Sequence, residues 1–123
     1  MVRDIELGPY LRFKQKFIKR VIEGEKKVTI RYGVVKPRFN FVYIVCCDEV
    51  YGEAIITRVV YTRLSRVGED LARADGFESR EELINELKEI YGELDNEDVV
   101  SIIYFTVVRV YNKPVALSNL RGG

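Results

Sequence analysis

The sequence predicts an α+β domain, a small closed or partly open β-barrel of about five to six strands flanked by two helices. Three observations predict it. Short segments rich in Val, Ile, Tyr and Phe recur between Gly, Pro and Asn punctuation, as strands do. Two other stretches carry apolar residues at helical spacing and run into a glycine. The chain has 123 residues, enough to bury one core and too few for two.

Taken in order, Tyr10-Leu11-Arg12-Phe13 opens as a short strand. Phe17, Ile18, Val21 and Ile22 then recur at helical spacing up to Gly24, a candidate left-handed cap, leaving a basic outer face. Lys27-Val28-Thr29-Ile30-Arg31 alternates polar and apolar side chains like a half-buried strand, and Gly33, Pro37 and Asn40 mark a loop after it. The apolar run Phe41 to Cys47, followed after Tyr51-Gly52 by Ala54 to Tyr61, predicts a β-hairpin. Ser79-Arg80-Glu81-Glu82 reads as a capping box, which starts a helix carried by Leu83, Ile84, Leu87, Ile90 and Tyr91 and stopped at Gly92. Val99 to Val108 is β-branched and apolar on both faces, as a central strand is. Residues 112–123 are expected as an edge strand or tail. With no repeat, low-complexity segment or linker, residues 1–123 form one expected domain with its core at about 10–111.

The 20 basic and 19 acidic side chains nearly cancel, but not evenly. Up to Arg66 there are 14 Lys/Arg against 7 Asp/Glu, and after it 6 against 12, so the halves carry +7 and −6. An anion-binding surface is therefore expected from the first half. No apolar run reaches the roughly 20 residues of a bilayer span, and Met1-Val2-Arg3-Asp4 begins no signal-peptide core, so a soluble, cytoplasmic protein is expected. The adjacent Cys46 and Cys47 would point to opposite faces of a strand and are expected as packing thiols. The absence of histidine removes the Ser-His-Asp triad and the usual nitrogen ligand for zinc, and no metal or organic cofactor is expected. A catalyst would have to use Lys, Thr, Tyr or carboxylates. Abundant charged, Ile, Val and Tyr residues with the single Gln15 hint at a thermophilic source.

The most informative segment is Gly24 to Arg31, which sets Lys26, Lys27, Thr29 and Arg31 just after a helix stop. Lys27, Thr29 and Arg31 would share a strand face, with Lys26 in the preceding turn. Such a cluster can grip a phosphate or a base edge through an ammonium and a guanidinium fork. A basic, solvated strand shows the same alternation.

Gly24-x-Lys26-x-x-Thr29-x-Arg31, preceded by Leu11-Arg12-Phe13-Lys14, resembles the G-x-K-x-x-T-x-R signature of the ASCH domain in the PUA-like superfamily. Glu69-Asp70-Leu71-Ala72-Arg73-Ala74-Asp75-Gly76-Phe77-Glu78-Ser79, then Glu82-Leu83, is similar to a stretch common in small archaeal members. The resemblance spans about Tyr10 to Phe105. Between Tyr32 and Glu49 the chain departs from it, lacking a Gly-Asp turn that many members carry. The resemblance implies a mixed PUA-like barrel with a cleft beside the signature strand, and binding of RNA or a modified nucleoside. Some small members are amidohydrolases that deacetylate N4-acetylcytidine with a lysine, a threonine and a glutamate. The first two match Lys26 and Thr29, and the third falls near Asp75, one methylene shorter.

Hydrolysis would need a neutral Lys26 amine to take the threonine proton, which neighbouring Lys27 and Arg31 and partial burial would favour. Asp75 would orient the amine or shuttle the leaving-group proton, and Arg31 would face the developing oxyanion. A binding module needs less. Arg12, Lys14, Lys27, Arg31, Lys36 and Arg38, interleaved with Tyr10, Phe13, Tyr32 and Phe39, have the composition of a surface that stacks bases and neutralises phosphates, although Phe13 fits a core position better. A barrel that only binds a protein partner is a third expectation. Glu81, Glu82, Glu86 and Glu89 are expected on a solvated helix face, and the oppositely charged halves leave oligomeric state open.

Overall fold

A computed structural model describes residues 4–121; the extreme start, Met1 to Arg3, and the last two residues of the expected tail lie outside the described residues. Among the described residues, seven strands and four α-helices follow one another. They are β1 (Asp4–Leu7), β2 (Tyr10–Arg12), α1 (Gln15–Ile22), β3 (Val28–Tyr32), β4 (Val34–Pro37), β5 (Phe41–Cys46), β6 (Glu49–Arg63), α2 (Glu69–Ala74), α3 (Arg80–Tyr91), β7 (Val99–Ala116) and α4 (Leu117–Arg121).

Five strands form one sheet in the order β2-β5-β6-β7-β3. Its centre is antiparallel, β5 against β6 against β7 against β3, and β2 adds to β5 in parallel. β7 pairs on both sides, which is why its sequence is apolar on both faces. The α+β class is as expected, and of the two expected forms the closed one does not hold: the sheet is not closed by backbone pairing, since β2 and β3 are both edges. Its edges nevertheless meet. Laid flat, five strands at about 4.8 Å spacing would hold them about 19 Å apart, yet Arg31 on β3 reaches the Arg12 carbonyl of β2 with Nη2 at 2.5 Å. The sheet therefore curls, and a seam runs between β2 and β3.

β1 and β4 form a small parallel pair, Asp4↔Val34 to Leu7↔Pro37, beside this seam. β4 replaces the loop expected after Gly33. Its anchor is Ser101, fully buried on β7, whose hydroxyl accepts from Val35 N at 2.8 Å and donates to the Gly33 carbonyl at 2.7 Å.

The hairpin of β5 and β6 turns at Cys47 (φ 58°) and Asp48 (φ 66°), not at Tyr51-Gly52. Positive φ at both central residues is the two-residue turn that matches strand twist. The same turn removes Cys47 from strand alternation, and the expectation of two packing thiols is corrected: Cys46 and Cys47 are joined in a disulfide. Gly52 sits within β6 because a Cβ there would lie 2.3 Å from the Arg109 carbonyl, where β6 and β7 shift register.

α1 ends as expected, with Gly24 at φ 80°, and Ser79 caps α3 by accepting from Glu82 N at 3.1 Å. The Glu82 carboxylate accepts from Glu78 N at 3.2 Å, one residue before the amide a capping box uses. α2 had no separate expectation. Beyond Asn112 the chain carries β7 on to Ala116 against β6, then turns into α4.

Three apolar clusters hold these layers. Leu11, Phe13, Ile18, Val21, Val42, Ile44, Ile103 and Phe105 fill the inside of the curl under α1. Val28, Ile30, Leu64, Leu83, Leu87 and Ile102 seat α2 and α3 on its outside, and Val45, Val50 and Leu117 seat α4. No helix among the described residues is long and apolar enough to cross a membrane.

Candidate functional site

A cavity of about 330 Å³ opens at the seam, walled by the β2–α1 corner, β3, the α2–α3 turn and α3. Arg12, Lys14, Lys26, Thr29, Arg31 and Asp75 all line it, so six of the nine polar residues singled out in the sequence for binding or catalysis converge. Lys27, Lys36 and Arg38 do not, and Lys36 pairs with Asp4 at 3.3 Å. Lys27 is exposed just outside β3, and Arg38 lies beyond β4, paired with Glu6 at 3.5 Å and set over the Phe39 ring at 5.6 Å.

Lys26 leaves the chain in the turn after α1 and is 3% exposed. Its ammonium donates to the Val28 carbonyl at 2.9 Å and, across the cleft, to both the backbone carbonyl and the Oδ1 of Asp75. Asp75 is also 3% exposed and can present both oxygens because the next residue, Gly76, turns at φ 97°. The Gly76 carbonyl accepts from the Arg20 guanidinium, which ties this turn to α1. Burial, then the nearby Arg31 and Arg20 guanidiniums, bring Lys26 down from the ordinary lysine range to about 7. The Asp75 carboxylate works against that shift by favouring the ammonium.

Thr29 is 5% exposed, although alternation placed it on a half-open face. The curl turns that face inward, where Thr29 pairs with Ile103 of β7. Its Oγ1 accepts from Arg31 Nε at 3.1 Å, and the same guanidinium lies 5.6 Å over the Phe13 ring. Thr29 thus presents its hydroxyl to a cation, while Lys26 is turned towards Asp75.

The opposite wall is apolar. Phe13, Phe17, Phe77, Leu83, Leu87 and Tyr91 line it, with Phe17 and Phe77 edge to face at 5.4 Å and the Lys26 ammonium 5.3 Å from the Phe17 ring. Such a mixed wall suits a flat heterocycle carrying polar edges.

Glu86 also lines the cleft and corrects the expectation of a wholly solvated acidic helix face. It is 8% exposed, with Oε1 within 2.9 Å of Lys16 Nζ and 3.2 Å of Lys14 Nζ. Burial pushes its carboxyl up, but the two ammoniums outweigh that and hold it below the usual range. The signal was in the sequence, because position 86 falls three after Leu83 and four before Ile90, inside the apolar stripe. Phe17 and Tyr91 were legible only as apolar helix positions, and Phe77 only as part of the family-like stretch. Among the described residues, no three metal-ligating side chains converge.

A family profile for the ASCH domain matches residues 8–109, which contain every wall of this cleft. The chain belongs to the ASCH domain family. No curated protein matches it significantly. Among solved structures, this ASCH domain is similar to the ASCH protein of Zymomonas mobilis (TM-score 0.67, 15% identity, 94% of this chain and 77% of that one). It is also similar to a protein from Enterococcus faecalis V583 (TM-score 0.66, 17% identity, 92% and 84%). A third is an ASCH domain from Lactobacillus crispatus (TM-score 0.61, 18% identity, 86% and 80%). At these identities the likeness speaks to the fold.

Proposed function

We propose that this ASCH domain binds a nucleotide or modified nucleoside, free or within RNA, in the cleft at the β2–β3 seam. One observation carries the reading: a 330 Å³ cavity sets guanidinium, ammonium and hydroxyl groups on one wall and aromatic rings on the other. A base would lie against Phe13, Phe17 and Tyr91, with Arg31 and Thr29 at its polar edge and Arg12 and Lys14 towards a phosphate. Calorimetry with cytidine, N4-acetylcytidine and a short RNA at two salt concentrations tests it. Binding that weakens with salt for RNA and barely changes for the nucleosides is the expected pattern. No binding of any of the three overturns it.

A second reading, hydrolysis of N4-acetylcytidine, is favoured by the lowered Lys26 and the Arg31–Thr29 bond. In its neutral form Lys26 would take the Thr29 proton as Oγ1 attacks the acetyl carbon, and would return it to the departing cytidine N4 as the amide bond breaks. Water would then cleave the threonyl ester to acetate. Arg31 would stabilise the oxyanion, and Asp75 would hold Lys26 in place between transfers. Mass-spectrometric turnover by the wild type and by Thr29→Ala, run at both moderate and elevated temperature, decides it. Acetate released by the wild type alone supports hydrolysis, and equal release by both overturns it.

A further inference from the structure

Cys46 ends β5 inside the core, 4% exposed, while Cys47 opens the turn to β6 and stands in solvent. Their disulfide closes the shortest loop two cysteines can close, because they are neighbours in sequence. A loop that short removes little freedom from the unfolded chain, so the bond adds little to the stability of the fold. The turn is also fixed without it. Cys46 pairs with Glu49 across the hairpin, and the Asp48 carbonyl accepts from Leu117 N at 2.8 Å, at the start of α4. The backbone therefore stays in place whether the sulfurs are joined or apart.

A third residue meets both sulfurs. Gln15, exposed as the first residue of α1, places Oε1 3.2 Å from Cys47 Sγ and 3.6 Å from Cys46 Sγ. Joined sulfurs have no proton to give, so in the disulfide these are contacts only. Each free thiol is a weak donor, and an amide oxygen with two lone pairs can accept from both. An exposed sulfur on a fixed backbone, with an acceptor in place for the reduced form, is what a reversible couple needs and an inert cross-link does not.

We propose that Cys46 and Cys47 form a reversible dithiol–disulfide centre that exchanges with low-molecular-weight thiols and disulfides such as glutathione, and that Gln15 is the positioning residue that favours its reduced state. Oxidation begins at the exposed Cys47, whose thiolate attacks one sulfur of glutathione disulfide and expels one glutathione. The Cys46 thiolate then attacks Cys47 Sγ, so that the protein disulfide forms and the second glutathione leaves. The pair gives up two electrons and two protons, and glutathione disulfide takes them to become two thiols. Reduction retraces these steps, again entering at Cys47.

The centre is independent of what the cleft binds, yet it lies behind one cleft wall. Phe13 N donates to the Val45 carbonyl at 2.9 Å, one residue from Cys46, and Gln15 stands between Lys14 and Lys16, the two partners of Glu86.

The test equilibrates the full chain in glutathione buffers of graded reduced-to-oxidised ratio, starting from both oxidised and reduced protein, then quenches in acid, alkylates with N-ethylmaleimide and reads the mass. One transition is expected, the same from either side, between a form that takes two maleimides and a form that takes none, with little protein carrying glutathione. Gln15→Leu should move the midpoint ratio towards the disulfide by about two- to tenfold, the range of one modest hydrogen bond. Gln15→Glu, which keeps an acceptor oxygen, should not move it that way. Both variants change an exposed position, and circular dichroism confirms their fold. A pair that stays joined in excess reduced glutathione, or that gains only glutathione adducts, overturns the inference. So does a Gln15→Leu midpoint equal to that of the wild type, since the contact would then be incidental.

Discussion

Arg31 Nε donates to Thr29 Oγ1 at 3.1 Å, past the single residue, Ile30, that separates them along β3. The same guanidinium bridges the seam to the Arg12 carbonyl. A lysine at this position would keep the charge but could not serve both acceptors from one planar fork. Arg31→Lys is therefore expected to weaken nucleoside affinity about tenfold, in line with a charge-assisted hydrogen bond contributing about 1.5–3 kcal/mol, and to do so with little loss of secondary structure. Calorimetry alongside circular dichroism checks it, and unchanged affinity removes Arg31 from the site.

The lowered Lys26 makes stability depend on pH in a definite direction. Between its folded value of about 7 and the ordinary lysine value of 10.5, the unfolded chain binds more protons than the folded one. Stability should therefore rise with pH across that window, against a penalty that is complete below about 7. Replacing Lys26 by Met should flatten the rise in urea midpoint between pH 7 and 10. A parallel slope in wild type and variant would assign the effect elsewhere.

Glu86 behaves oppositely, since Lys16 and Lys14 hold its carboxyl below the ordinary value despite burial. Its contribution is present above about pH 4.5 and is lost as the pH falls through its lowered folded value. Glu86→Gln should lower Tm at pH 7 by on the order of 3–6 °C, with the difference from wild type shrinking in acid. Differential scanning fluorimetry across pH 3–7 reads both.

Gly52→Ala should be among the most damaging single changes. The added methyl would lie 2.3 Å from the Arg109 carbonyl, a backbone atom that cannot turn aside. A loss of about 3 kcal/mol in chemical denaturation is expected, and a loss below 1 kcal/mol would mean the β6–β7 register can slide.

What was legible in the sequence follows from which forces are local. Helix caps at Gly24 and Ser79, and the doubly apolar Val99 to Val108, depend on neighbours along the chain and were readable from them. β1 and β4 were not, because each is four residues long and mostly polar or half-exposed, and each owes its form to the other. The turn at Cys47-Asp48 carried no glycine to announce it, and Gly52 looked like a turn although it marks a backbone crossing. In the site, Lys26, Thr29 and Arg31 were readable as a polar cluster just after a helix stop, whereas Asp75 rested on the family resemblance alone. Thr29 is buried because the sheet curls, and β3 alone could not reveal that. Lys27 and Arg38 were basic neighbours in sequence that the fold turns elsewhere, and Glu86 was hidden by the three acidic residues around it.

The seam between β2 and β3 is bridged by side chains and a helix, not by a ladder of amides. Its opening therefore breaks only a few contacts, while β6 and β7 stay paired along most of their length. The edges should breathe on a faster clock than the middle of the sheet, visible as rapid amide exchange along β2 and the free side of β3 against slow exchange at Ile102 and Ile103. Anything lodged in the cleft then acts as the missing rung, so an occupant should announce itself first as quieted edge amides, ahead of any change in overall shape.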